Sequence, residues 1–120
     1  MTVLTLVHGG NRLARERAIA AALQRGRDNV AIVEGLASSE SPLDALALAN
    51  EVRLFRVAAG CPCCSGNLTM RVTLNRALRQ SPAHLYLSLA DTAHKAGVLN
   101  FLQEDQYRSL LEFGGEVDCR

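Results

Sequence analysis

Five short stretches of mostly apolar residues alternate with longer stretches of helical period along the chain. The strand-like stretches are Thr2–Val7, Asn29–Glu34, Glu51–Val57, His84–Leu89 and Glu112–Asp118, the last weakened by Gly114-Gly115. Between them, Leu13–Arg25 is rich in Ala and Arg, places Ile19 and Leu23 one turn apart and meets a natural stop at Gly26. Ser41-Pro42 is a cap followed by a first-turn proline, predicting a short helix through Ala49. A third helix is predicted over Gly66–Arg79, stopped by Ser81-Pro82, and a fourth over Thr92–Leu102, with a further turn at Gln106–Leu110.

Strand and helix therefore alternate almost from end to end. This order predicts an α/β fold of three layers, a mostly parallel sheet of about five strands with helices on both faces. In such sheets the working loops lie beyond the carboxyl ends of the strands. Three loops qualify: His8–Arg12, Gly60–Ser65 and Ala90–His94. No repeat, linker or low-complexity tract interrupts the pattern, so residues 1–120 read as a single domain.

Composition narrows the picture by exclusion. A formal net charge of +1, an aromatic content of 4% and scattered arginines leave no basic, aromatic-interleaved stripe, which argues against nucleic-acid binding. The apolar N-terminal stretch is short, lacks a charged leader and runs straight into His8-Gly9-Gly10, so neither a signal peptide nor a membrane span is expected. The expected compartment is then the reducing cytoplasm, where thiols stay free.

That expectation changes the meaning of the four cysteines. Cys61, Cys63 and Cys64 fall within four residues, a poor spacing for a disulfide framework but a good one for thiolates gripping one soft ion. Zinc or another thiophilic divalent metal is the expected ligand. Three sulfurs leave a position open in a closed tetrahedral site, for which His8, His94 and Cys119 are candidates. The loop precedes a helix amino end, and Arg71 lies about one turn in; both favour thiolates. Two other readings stand beside this one: cysteines as small core residues, and thiol–disulfide exchange through Cys61 and Cys64.

The first loop, His8-Gly9-Gly10-Asn11-Arg12, lies between a strand and a helix, the layout of a phosphate cradle. It lacks the Gly-Lys-[Ser/Thr] that holds phosphates and magnesium. Two glycines after a strand are more often simply a tight turn; the other reading of Gly9, Gly10, Asn11 and Arg12 is a vestigial phosphate loop, an anion held on backbone N–H groups with Arg12 helping.

Taken in order, these motifs resemble the CobW-type metallochaperone GTPases, relatives of the GTPases that help assemble urease and nickel hydrogenase. Thr2-Val3-Leu4-Thr5 is similar to the start of that family's T-V-L-T-G-F-L-G-A-G-K-T-T segment. Gly60-Cys61-Pro62-Cys63-Cys64 matches its G-C-x-C-C signature residue for residue, and Ala93–Leu99 echoes its E-T-T-G-L-A-D-P-A-P-V-L segment. The resemblance implies a P-loop-NTPase-like fold, covering only the amino-terminal part of that GTPase domain. It also implies metal binding at the cysteines, with a second copy or a metalloprotein client completing the coordination.

The departures fall on the phosphate machinery. Leu6 stands for the first loop glycine, Arg12 for the lysine and Leu13 for the magnesium-binding threonine. Ser88 and Asp91 stand for the later glutamate and glycine, Glu34-Gly35 for an Asn-Glu, and the 120 residues contain no N-K-x-D. Arginine is not a conservative replacement for a phosphate lysine, and leucine cannot ligate magnesium. GTP hydrolysis is not expected, and the chain reads as a degenerate, non-hydrolysing relative that keeps the metal motif. Its alternatives are an interaction module with structural cysteines, or a weak nucleotide binder completed by a partner chain. Asp91 with His94, three residues apart, lacks a neighbouring nucleophile and reads as a cap and a surface residue. The run Arg12–Arg17, Glu104-Asp105, His84 and Lys95 read as solvated or strand-edge positions.

Overall fold

The computed structural model describes residues 2–23, 28–34, 41–57, 64–89 and 95–120, excepting the side chains of 64–69 and of Phe101. Five strands, β1 (Thr2–His8), β2 (Asn29–Glu34), β3 (Arg53–Val57), β4 (His84–Ser88) and β5 (Leu111–Asp118), alternate with α1 (Arg12–Ala22), α2 (Pro42–Leu48), α3 (Cys64–Leu78), α4 (Lys95–Leu102) and α5 (Asp105–Arg108). All strands are parallel and lie in the order β3-β2-β4-β1-β5.

The period-two alternation within the strands sorts their side chains onto two faces. Leu4 and Leu6 of β1, Val30 and Ile32 of β2, and Leu85 and Leu87 of β4 pack with Met70, Leu74 and Leu78 of α3, Val98 of α4 and Tyr107 of α5. The residues between them, Val7, Ala31, Val33 and Tyr86, pack instead with Ile19 of α1 and Leu43 of α2. The three layers follow directly: α1 and α2 on one face, α3, α4 and α5 on the other. β4 is buried from Leu85 to Ser88 because it is central and covered on both faces.

Local chemistry sets the boundaries. Ser41 caps α2, its Oγ accepting from the Leu43 N–H, and Pro42 opens the helix as expected. α3 starts at Cys64 rather than Gly66, so the third cysteine belongs to the helix and Gly66 sits inside it. α1 ends at Ala22, short of Arg25; residues 24–27 lie outside the described residues, as do Thr92–His94 ahead of α4. The two glycines of β5 do not end the strand. They sit at a register shift against Leu4 and Thr5, where a side chain at 114 would run into Val3 Cγ1 at 2.6 Å. Among the described residues, no helix is long and apolar enough to cross a membrane.

A switch point lies between β1 and β4. The connection leaving β1 runs through α1 on one face, and the connection leaving its neighbour β4 runs through α4 on the other. Adjacent strands whose crossovers part in this way open a crevice at their carboxyl ends, the usual ligand position in open α/β sheets. His8 ends β1 there and Ser88 ends β4.

Candidate functional site

The glycine loop leaves β1 at this crevice. Asn11 is occupied as the cap of α1, its Oδ1 accepting from the Ala14 N–H at 2.7 Å. Gly9 and Gly10 have φ of +78° and +60°, a region that side-chain-bearing residues rarely adopt. Their packing also needs glycine: a Cβ at 10 would lie 2.5 Å from the Cys119 carbonyl, and one at 9 would strike the Asp118 carboxylate. The segment Asp118–Arg120 therefore lies hard against the loop, and Cys119 N–H donates to the His8 carbonyl at 2.8 Å. Arg12 is partly exposed, with its Nε 3.8 Å from the Glu16 carboxylate one turn on.

Arg15 occupies the crevice itself. It is 3% exposed, and its Nε donates to Ser88 Oγ at 3.2 Å while Nη1 donates to the carbonyls of Gly9 and Gly10 at 3.2 and 2.9 Å. None of the ion pairs among the described residues includes Arg15. A buried guanidinium compensated by carbonyls and a hydroxyl is costly to desolvate, and here its donors tie the loop to the end of β4.

Glu16, the next residue, is fully buried on the α1 side. Arg56 of β3 grips it with two hydrogen bonds of 3.1 and 2.7 Å, Ser41 Oγ donates to it, and Arg56 also reaches Asp44 at 2.8 Å. Burial alone would raise the Glu16 pKa, but Arg56, Ser41 and the charge of Arg12 outweigh it and hold the carboxyl below its usual range. Arg56 is pushed up in turn, chiefly by its hydrogen bonds to Glu16. The expectation that Arg12–Arg17 forms a solvated face is thus corrected: Arg15 and Glu16 within it are buried, one holding the loop and the other joining α1 to β3 and α2. The signal was present, because the Ile19–Leu23 stripe continued back by four and three residues lands on Arg15 and Glu16.

Of the cysteine loop, Cys61 and Cys63 lie outside the described residues, and Cys64 is placed only as the first residue of α3. Asp91 and His94 also lie outside them. Two of the other candidate ligands are described, and both stand at the carboxyl edge near the end of β1. His8 is 6% exposed; its Nε2 lies 3.4 Å from Glu116 Oε2, and neither ring nitrogen makes a well-aligned hydrogen bond. Cys119 is half-buried against the α1-side core, its thiol free. Among the described residues no three His, Cys, Asp or Glu side chains converge as a metal cluster.

The remaining charges near this edge are paired. Lys95 donates to Glu116 at 2.8 Å and, with His8, lowers its pKa; Arg120 holds the Asp118 carboxyl down at about 2. Lys95 is therefore an ion-pair partner rather than a solvated end. Arg71, expected near the thiolates, is held by Glu104 in a two-pronged pair of 3.0 and 2.6 Å that joins α3 to the start of α5. His84 stacks on Tyr86, with ring centroids 6.1 Å apart. No protein-family model, curated protein or solved structure matches this chain.

Proposed function

We propose that this protein is a degenerate CobW-like, P-loop-type domain that does not hydrolyse GTP and binds zinc or another thiophilic metal through Cys61, Cys63 and Cys64. One observation carries the reading. Cys64 opens a 15-residue helix that is the next element after β3, and β3 ends at the same carboxyl edge of the sheet from which the glycine loop leaves β1. A long helix amino end beside soft donors favours the thiolate form that metal binding needs. His8 and Cys119 at the end of β1 are the described residues with the right chemistry to add a further donor.

The non-hydrolysing half of the reading is supported by Arg15 and Ser88. The crevice between β1 and β4 is where a phosphate chain would approach, and it is filled by a guanidinium already bonded to the loop carbonyls. Leu13, in the first turn of α1, offers no oxygen to a magnesium ion. The protein then works in the cytoplasm in metal storage or delivery, with a second copy or a metalloprotein client completing the coordination.

The test is metal content. Protein purified under reducing conditions without chelator is expected to carry zinc or a similar ion, and the Cys61/Cys63/Cys64→Ser variant none. Negligible metal in both, including after zinc is added back, overturns the reading. Thermal-shift titration with GTP or ATP and magnesium is expected to be flat, and a saturable rise would reinstate a nucleotide site.

A further inference from the structure

A second concavity lies between β5 and the helices α4 and α5, reaching the carboxyl edge only at Glu116. It encloses about 500 Å³ and is walled by Leu4, Leu99, Leu102, Leu111 and Phe113. This volume is within the ordinary range for small-molecule sites, which combine apolar walls with a few placed polar groups. Phe113, 54% exposed, is held open to solvent along one wall.

The polar groups at its rim differ in how they are satisfied. Glu116 is neutralised by Lys95 at 2.8 Å and approached by His8 at 3.4 Å. Arg108, the last residue of α5, takes part in none of the ion pairs among the described residues. The cavity therefore offers apolar walls with an uncommitted guanidinium at the rim and its carboxylate already compensated. We propose that it binds a small aliphatic carboxylate, the chain among the leucines and the head group on Arg108, whose fork suits a carboxylate.

A second copy is a poorer occupant. β5 is an edge strand bearing Glu112, Glu116 and Asp118, so a second β5 laid beside it would bring like charges together. The aliphatic carboxylate meets the opposite sign at Arg108 and leaves the edge uncovered.

Amide-resolved NMR titration of the whole chain with decanoate and with decan-1-ol tests this. Decanoate is expected to bind saturably and to move the amides of Leu99, Leu102, Leu111 and Phe113. Arg108→Gln, a change at an exposed side chain, is expected to weaken decanoate about tenfold while leaving decan-1-ol unchanged. Leu99→Trp, which fills the cavity, is expected to abolish both. Absence of saturable shifts, shifts centred elsewhere, or equal loss of alcohol and acid in Arg108→Gln overturns the proposal. So does self-association through β5 seen by sedimentation.

Discussion

Arg15 on α1 and Ser88 at the end of β4 are joined by a hydrogen bond of 3.2 Å, from Nε to Oγ, inside the crevice between β1 and β4. The same guanidinium holds the carbonyls of Gly9 and Gly10, so one side chain bonds both walls of the place where an α/β sheet usually receives its ligand. Replacing Arg15 with Met keeps much of the apolar stem and removes three hydrogen bonds from buried or half-buried acceptors. The expected loss is about 2 kcal/mol of stability, since each orphaned acceptor costs roughly 1–3 kcal/mol unless water reaches it. Urea unfolding measures it, and an unchanged midpoint would show the loop holding itself.

Glu16 and Arg56 form the second buried polar connection, with Asp44 as the guanidinium's other carboxylate partner. Arg56→Met leaves the Glu16 carboxylate buried without its main partner and is expected to cost about 3 kcal/mol or more. The double change Glu16→Leu with Arg56→Met removes both charges, and much of that loss is expected to return. A double-mutant cycle on urea midpoints checks the coupling.

Acid sensitivity follows from the same carboxylate. The folded-state pKa of Glu16 lies below its unfolded value, so its contribution to stability is fully present above the ordinary carboxylate range. That contribution fades as pH falls from about 4.3 through the depressed folded value. Stability measured from pH 7 down to pH 3 should therefore fall less steeply in Glu16→Gln than in the wild type. Parallel curves would assign the acid limb to other carboxylates.

The glycines separate two kinds of backbone demand. Gly10→Ala combines a φ of +60° with a Cβ 2.5 Å from the Cys119 carbonyl, while Gly115→Ala, at a φ of +131°, meets nothing within 4 Å. Strain alone costs of order 1–3 kcal/mol at such positions. The first substitution is expected to exceed the second, because the 118–120 segment must also move. Thermal midpoints of the two variants settle the order.

Much of the architecture was legible along the chain. Asn29–Glu34 is read as a strand from its apolar run, and it is one; Ser41-Pro42 announces a helix start, and α2 begins there. These signals are local: strand alternation and capping chemistry act between residues a few positions apart. Arg15 and Glu16 were harder to see, because charged residues in a helix normally face water. Their stripe position was the only sign that they do not. Arg56, forty residues from its partner, carried no sign at all.

By itself the sequence determined the alternation of strand and helix, the glycine turn after β1, and the clustering of three cysteines before a helix. Each of these is written in neighbouring residues. The tertiary structure alone decided that β4 inserts between β2 and β1, and so that Ser88 comes to face Arg15 across 73 positions of chain. Strand order depends on which faces must be covered by which crossovers, a choice made by burying apolar area over the whole sheet. The crevice, and the guanidinium that fills it, exist only once that choice is made.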